Sequence, residues 1–221
     1  MPTLRELAEE TQRLMEGGIA TDESRLDYPY VYSVINDSRA NVLRKDFLKF
    51  KRWSPQAMQT FYPEYESYYQ DSVCYTRFQL PTGFIQANPA QDGLIYIGSL
   101  GEKIFEIQSF FRIKNRNELA DFMGNPRLNP AKAGYVGVLL EGLVATVIAK
   151  ENMIENIQVV GVFEDPTMLP DYNINIDQYP ISGDLLGALQ DDVLKSTMAI
   201  VYSKPIDTMS DSKSTVQQQA K

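Results

Sequence analysis

A chain of 221 residues that is 43% hydrophobic and 23% charged has enough apolar side chains for a packed core. Its formal net charge of -8 makes the average surface repulsive to nucleic acid and to anionic membranes. Histidine is absent and Cys74 is the only cysteine, which excludes Ser-His-Asp and Cys-His catalytic arrangements and zinc sites built from nitrogen and sulfur ligands.

The N-terminal third is predicted to be helical. Thr3 and Glu6 form a capping-box pattern at the start of a first helix, and Gly17-Gly18 mark its end. A second helix is expected from about Asp27 to Trp53-Ser54-Pro55, where proline stops it. Its second half carries a run of cations: Arg39, Arg44, Lys45, Lys49, Lys51 and Arg52. These charges complement the helix dipole, and contact with DNA phosphates is the alternative.

Residues 56–72 are rich in aromatic and acidic side chains, and we interpret them as a long docking loop. Four tyrosines of this segment are candidates for a subunit interface: Tyr62, Tyr65, Tyr68 and Tyr69. Tyrosine is enriched at protein interfaces because one end of its side chain is apolar and the other can form a hydrogen bond. Stacking on sugars or bases is the alternative use. The basic residues Arg39, Arg44 and Lys45 complete the candidate interface set.

From Val73 the apolar period changes from that of a helix to the two-residue alternation of a strand. Strands are predicted at three places before residue 115: 73–80, 94–97 and 104–113. A short helix is expected from Asn115 to Gly124. Three strongly apolar strands follow it and are predicted to form a meander: 134–140, 143–149 and 157–163. Cys74 lies on the apolar face of its strand, which predicts a buried and unreactive thiol.

The chain closes with a predicted helix at 182–202 and a polar tail at 206–221, expected to be disordered or to dock on another subunit. The predicted fold class is α+β: an N-terminal helical pair and a C-terminal helix pack together around an inserted antiparallel β domain, a sandwich or a barrel. Four regions follow from this order: N-terminal helices 1–55, aromatic loop and β domain 56–172, C-terminal helix region 173–205 and tail 206–221.

The sequence offers no recognisable pattern for catalysis, a metal or a cofactor. Residues 93–101 are rich in glycine but lack the lysine of a phosphate-binding loop. Asp165, Asp171 and Asp177 could supply oxygen ligands to Ca²⁺, but their spacing is not that of an EF-hand. We therefore expect a protein that is not an enzyme and that holds no cofactor or metal.

Segments at both ends of the chain carry a family resemblance. The opening helices contain Leu4-Arg5-Glu6-Leu7 and the stretch from Val34 to Arg44, and the closing part contains Tyr179-Pro180-Ile181-Ser182-Gly183-Asp184-Leu185 and Lys204-Pro205-Ile206-Asp207. Together these segments resemble the neck and tail ring proteins of short-tailed bacteriophages, in particular the crAss-like phages of gut Bacteroidales. Ser38-Arg39 stands where Ala-Arg is usual in that family.

The resemblance implies a virion structural protein at the head–tail junction. It implies a homo-oligomeric ring of about 12 copies that contacts the portal or neighbouring neck and tail proteins, with DNA passing through the lumen without sequence-specific binding. It also implies synthesis in the cytoplasm of a bacterial host and assembly into the neck or tail of the virion. No segment approaches the roughly 18 apolar residues of a membrane span, so no membrane anchor is expected. The alternative is a capsid-decoration or receptor-binding β module of a phage particle.

Overall fold

The structure, a computed structural model, describes residues 1–15, 27–88, 91–99, 110–129, 132, 136–150 and 157–203. Its principal helices in these ranges are α1 Leu4–Met15, α2 Tyr28–Phe50, α3 Arg116–Gly124 and α4 Leu186–Ser203. The strands are β1 Gln59–Phe61, β2 Tyr65–Gln70, β3 Val73–Gln79, β4 Gln86–Asn88, β5 Gln91–Asp92, β6 Leu94–Ser99, β7 Phe110–Ile113, β8 Val136–Glu141, β9 Val144–Lys150 and β10 Ile157–Gly161. The α+β prediction is confirmed.

The strands form two larger sheets and one short pair. One sheet has the order β1-β10-β6, the other has the order β2-β3-β9-β8-β7, and β4 pairs with β5. The prediction of an antiparallel β domain is wrong in one place, because β7 and β8 run parallel. Parallel neighbours need a crossover between them, and α3 lies in that connection.

The two sheets pack face to face as a sandwich. Residues from both inner faces form one apolar core, which contains Phe61, Phe78, Ile97, Val138, Val147, Val159 and Phe163. Gly161 lies where the register of β10 shifts, and an added Cβ there would be 2.5 Å from Cε1 of Phe84. Only glycine fits this close approach between backbone and ring.

A layer of three helices covers the three-stranded sheet. α4 packs against both α1 and α2, as expected for a C-terminal helix that returns to an N-terminal pair. Their shared core includes Leu4, Leu7, Val31, Ile35, Leu43, Leu189 and Val193. Ile85 and Val162 of the β domain belong to the same core, so the helices and the sandwich are packed directly together. In the described part of the chain, no helix is both long and apolar enough to cross a membrane.

α3 covers the outer face of the five-stranded sheet. Phe122 packs there against Ile113, Leu139 and Ile148. The Asn115 side chain accepts hydrogen bonds from the backbone N–H groups of residues 117 and 118, as an N-cap does. The molecule therefore has four layers in the order helices, three-stranded sheet, five-stranded sheet and α3.

The helix starts predicted at Thr3 and Asn115 are confirmed, whereas the helix predicted from residue 182 begins at Leu186, after a 3-10 turn Gly183–Leu185 that Ser182 does not cap with its side chain. At α1 the Thr3 N–H donates to Glu6 Oε2 at 2.9 Å, and the Glu6 N–H donates to Thr3 Oγ1 at 3.2 Å. The predicted helix end at Gly17-Gly18, the strand residues 104–109 and the tail 206–221 lie outside the described residues. The division of the chain into four regions stays a prediction.

The predicted meander of three apolar strands is wrong. β8 and β9 pair as expected, but β10 leaves that sheet and pairs with β1 and β6. A run of apolar residues predicts a strand that is buried on both faces, and a strand in either sheet can be buried in this way. The pattern therefore does not decide which sheet the strand joins. The choice of partner depends on β1 and β6, which are remote in the sequence.

The prediction that residues 56–72 form a long docking loop is also wrong. A single turn of 3-10 helix, Pro55–Ala57, is followed by β1 and β2. β2 and β3 form a hairpin whose two-residue turn, Asp71-Ser72, has φ values of 52° and 63°. Two consecutive residues with positive φ form a type I′ turn, whose twist matches that of the paired strands.

Candidate functional site

Three of the four candidate tyrosines lie on an edge strand, β2, and Tyr62 precedes it. β2 is the outermost strand of the five-stranded sheet, and all six of its residues are exposed. Tyr62, Tyr65, Tyr68 and Tyr69 are between 39% and 59% exposed. We call this region the tyrosine surface and define it by these four tyrosines together with Glu64, Glu66 and Asp71, which are exposed as well. Tyr65 and Tyr69 share one face of β2, Tyr68 lies on the opposite face, and the Tyr62 hydroxyl accepts a hydrogen bond from Gln158 of β10.

One face of β2 extends beyond the sandwich. Tyr65 stands opposite Phe78 and Tyr69 stands opposite Cys74, so both tyrosines continue the inner face of the sheet. Phe78 and Cys74 are buried, whereas no residue of β2 belongs to the core between the sheets. The three-stranded sheet is narrower than its partner and leaves the inner face of β2 uncovered. Aromatic side chains are therefore exposed at a place where the fold would normally bury them.

The side chains of β2 are held in place by its neighbour. Tyr68 stacks on Tyr75 with ring centroids 4.9 Å apart and an angle of 4° between the planes. The hydroxyls of Ser67 and Thr76 are 3.0 Å apart. A ring that is already ordered loses less conformational entropy on binding than a free one. Tyr68 is accordingly preorganised on a regular strand.

A cavity of about 490 Å³ lies at the first residues of β2. It is lined by Glu64, Tyr65, Glu66, Arg77, Phe78, Gln79 and Val144. An edge strand that exposes aromatic residues invites pairing with another chain, and soluble proteins usually guard such edges with charge. Glu64 and Glu66 supply negative charge here, and Arg77, which stands opposite Glu66, offsets part of it.

Arg39 is not part of this surface, and its assignment to an exposed interface is wrong. Its side chain is 0% exposed. Nε donates to the carbonyl oxygen of Pro180 at 2.8 Å, and Nη1 donates to that of Phe163 at 2.8 Å. Nη2 donates to the carbonyl oxygen of Ala57 at 3.4 Å. The guanidinium therefore joins three segments of the chain: the turn after α2, the end of β10 and the approach to α4.

A polar network continues from this arginine. Its guanidinium carbon lies 5.8 Å from the ring centre of Tyr179, whose hydroxyl donates to Asn36 Oδ1 at 2.7 Å. Asn36 Nδ2 in turn donates to Asp165 Oδ1 at 2.8 Å. Burial lowers the pKa of Arg39, and the negative charge of Asp165 acts in the opposite direction. Since arginine stays protonated in proteins, the network holds a buried positive charge.

Burial raises the pKa of the phenol of Tyr179, and it raises the pKa of Tyr172 in the same direction. Below a pH of about 10, the ordinary tyrosine pKa, the folded and unfolded chains both keep these protons. Above it the unfolded chain releases them first, so we expect the free energy of unfolding to fall with pH by about 1.4 kcal/mol per pH unit for each phenol. Tyr179→Phe should flatten this slope by that amount. Denaturant unfolding from about pH 10 to 11 measures it, and an unchanged slope would contradict the assignment.

Arg44 and Lys45 contact other parts of the same chain. Arg44 Nε donates to the carbonyl oxygen of Gln86 at 3.0 Å and thereby joins α2 to β4. Lys45 Nζ is 3.7 Å from Asp192 Oδ1 of α4, and its side chain is 73% exposed. Contacts within the chain thus use part of the hydrogen-bonding and ion-pairing capacity of both side chains. Their place in a subunit interface stays a prediction.

The end of α2 forms a second exposed surface. Leu48, Lys49, Phe50, Lys51 and Arg52 are consecutive and all exposed, and we call them the basic end of α2. Lys49 Nζ lies 4.9 Å from the ring centre of Phe50. The cations were identified from the sequence, but the exposure of Leu48 and Phe50 was not, because apolar residues of a helix are ordinarily buried. Their exposures of 49% and 53% depend on how α2 packs.

Other candidate chemistry is not assembled. Among the residues that the structure describes, no three histidine, cysteine, aspartate or glutamate side chains converge as metal ligands would. Asp165 Oδ1 instead accepts hydrogen bonds from Asn36 and from the backbone N–H of Thr167. Cys74 is buried as predicted, with Sγ 3.4 Å from Thr76 Oγ1.

No protein-family model matches the chain, and no curated protein matches it either.

Proposed function

We propose that this chain is a structural subunit of a phage particle that assembles into a ring at the head–tail junction, with the tyrosine surface as one of its subunit contacts. The observation that carries the proposal is the edge strand β2, which exposes every side chain and three tyrosines. Tyrosine anchors protein interfaces because it buries a large ring at a small cost in conformational entropy. The resemblance of both chain ends to phage ring proteins supports the same assignment.

The net charge supports the passage of DNA. A subunit with a net charge of -8 repels phosphates on average, so a channel lined by such subunits would let DNA slide. The portal or a neighbouring neck or tail protein would be the second partner of the ring, and the virion would be its location. The chain itself needs no cofactor for this role.

Purified phage particles provide the test. Mass spectrometry should find the chain in washed particles, and antibodies carrying gold should label the junction of head and tail. The isolated chain should bind purified portal or an adjacent ring and should show no binding on a glycan array. Labelling of the capsid surface, or binding to a glycan with no binding to portal, would favour the decoration or receptor-binding module instead. Absence from particles would reject both.

A further inference from the structure

Two exposed surfaces of the chain are complementary in charge. The tyrosine surface carries three carboxylates, those of Glu64, Glu66 and Asp71, and one cation stands beside them, because Arg77 is opposite Glu66. The basic end of α2 carries three cations, those of Lys49, Lys51 and Arg52. Opposite charges on facing surfaces guide encounter and fix orientation, and like charges exclude wrong pairings. The two surfaces are therefore suited to each other and unsuited to themselves.

The surfaces are also complementary in the groups that would be buried. Phe50 stands beside a cavity of about 490 Å³ that is also lined by Arg52 and by two carboxylates, those of Asp46 and Asp184. A tyrosine ring entering this cavity would meet an aromatic ring and a cation, and its hydroxyl could donate to one of the carboxylates. The tyrosine surface presents exposed tyrosines for this purpose. Leu48, which is also exposed, adds apolar area to the basic end of α2.

The two surfaces lie on different layers of the molecule. β2 belongs to the five-stranded sheet and α2 belongs to the helix layer, with the three-stranded sheet between these layers. A copy can therefore be bound at both surfaces at once. A contact between two different surfaces is heterologous, and such contacts produce closed rings or open filaments.

We propose that the tyrosine surface of one copy docks on the basic end of α2 of a second copy of this chain. This inference rests on the proposed function and deepens it by naming both sides of the contact in the ring. Because the contact is partly ionic, it weakens as salt screens the charges. Residues of β2 provide the aromatic anchors, and Phe50 lines the site that receives them.

Charge reversal tests which surfaces meet. Glu64→Lys with Glu66→Lys makes both surfaces positive, and Lys49→Glu with Arg52→Glu makes both negative. Each double variant alone is expected to remain monomeric at concentrations at which the native chain assembles. An equimolar mixture is expected to assemble again, because the positive surfaces of one variant match the negative surfaces of the other. Sedimentation velocity at low salt, up to about 1 mM protein, measures all four samples.

A matched control separates local contacts from net charge. Arg127→Glu with Lys132→Glu makes the same charge change as the α2 variant, at exposed positions outside both surfaces. This control is expected to assemble like the native chain, and circular dichroism should show all variants folded. Failure of the mixture to assemble would overturn the inference, as would a native chain that stays monomeric up to the highest concentration.

Two further outcomes are informative. If Glu64→Lys with Glu66→Lys abolishes assembly and Lys49→Glu with Arg52→Glu does not, the tyrosine surface contacts a surface other than the basic end of α2. The inference is then wrong. The proposed function is judged separately by the presence of the chain at the head–tail junction of particles. A chain found there whose reversed variants are not rescued by mixing would keep the function and lose the contact.

Discussion

Replacement of Arg39 by methionine is expected to lower the free energy of unfolding by about 3–5 kcal/mol. Methionine fills much of the space but donates no hydrogen bond. The carbonyl oxygens of Phe163 and Pro180, each 2.8 Å from the guanidinium, would lose their donor inside the core. A buried polar group left without its partner costs about 1–3 kcal/mol, and more than one would be orphaned here.

Denaturant unfolding provides the measurement, and the chain offers a matched control on the same helix. Lys45→Met makes the same kind of change at a side chain that is 73% exposed, so its effect should stay within about 0.5 kcal/mol. Arg39→Lys should fall between the two, since an ammonium group cannot span carbonyls that the planar guanidinium reaches. An Arg39→Met protein as stable as the native one would contradict the account of this network.

Replacement of Tyr65 and Tyr69 by serine is expected to weaken self-assembly by about 1,000-fold. Removal of an aromatic anchor from the centre of an interface costs about 2 kcal/mol or more, and two such losses amount to about 4 kcal/mol. Both rings continue the inner face of the five-stranded sheet beyond the sandwich. The folded monomer should lose about 1 kcal/mol or less, because both side chains are more than a third exposed.

The concentration dependence of sedimentation gives the affinity, and thermal unfolding checks the monomer. Tyr28→Ser is the matched control, because Tyr28 is 41% exposed but lies at the start of α2, away from β2. It should leave assembly unchanged. If the double serine variant assembles as the native chain does, the tyrosine surface is not a subunit contact.

The features that were predicted correctly from the sequence are those that local patterns of residues determine. The capping residues Thr3 and Asn115 were identified from their type and position, and the structure shows both forming the expected backbone hydrogen bonds. The alternation from Val73 predicted β3 and the burial of Cys74. Each of these features depends on neighbours within a few residues. The α+β class followed from their order.

β2 was missed because it lacks the signal that marks a half-buried strand. Alternation between apolar and polar residues arises when one face is buried, and both faces of β2 are exposed. Its turn gave no warning either, because Asp71-Ser72 adopts positive φ values without the glycine that usually marks such a hairpin. The tyrosines were predicted to form an interface, which stays a prediction, and their place on an edge strand was not predicted.

Arg39 was misplaced because cations on a helix are ordinarily solvated. What buries it is remote in sequence: its three acceptors are the carbonyls of Ala57, Phe163 and Pro180. The same limit applies to β10, whose choice of sheet depends on β1 and β6. Contacts between distant segments decided both outcomes.

Cryo-electron microscopy of the intact particle, with this chain traced, tests the central claim most directly. The account predicts a ring of identical subunits at the junction of head and tail, in which the tyrosines of β2 are buried against a neighbouring subunit. A particle that lacks this chain, or a ring in which β2 faces solvent, would contradict it.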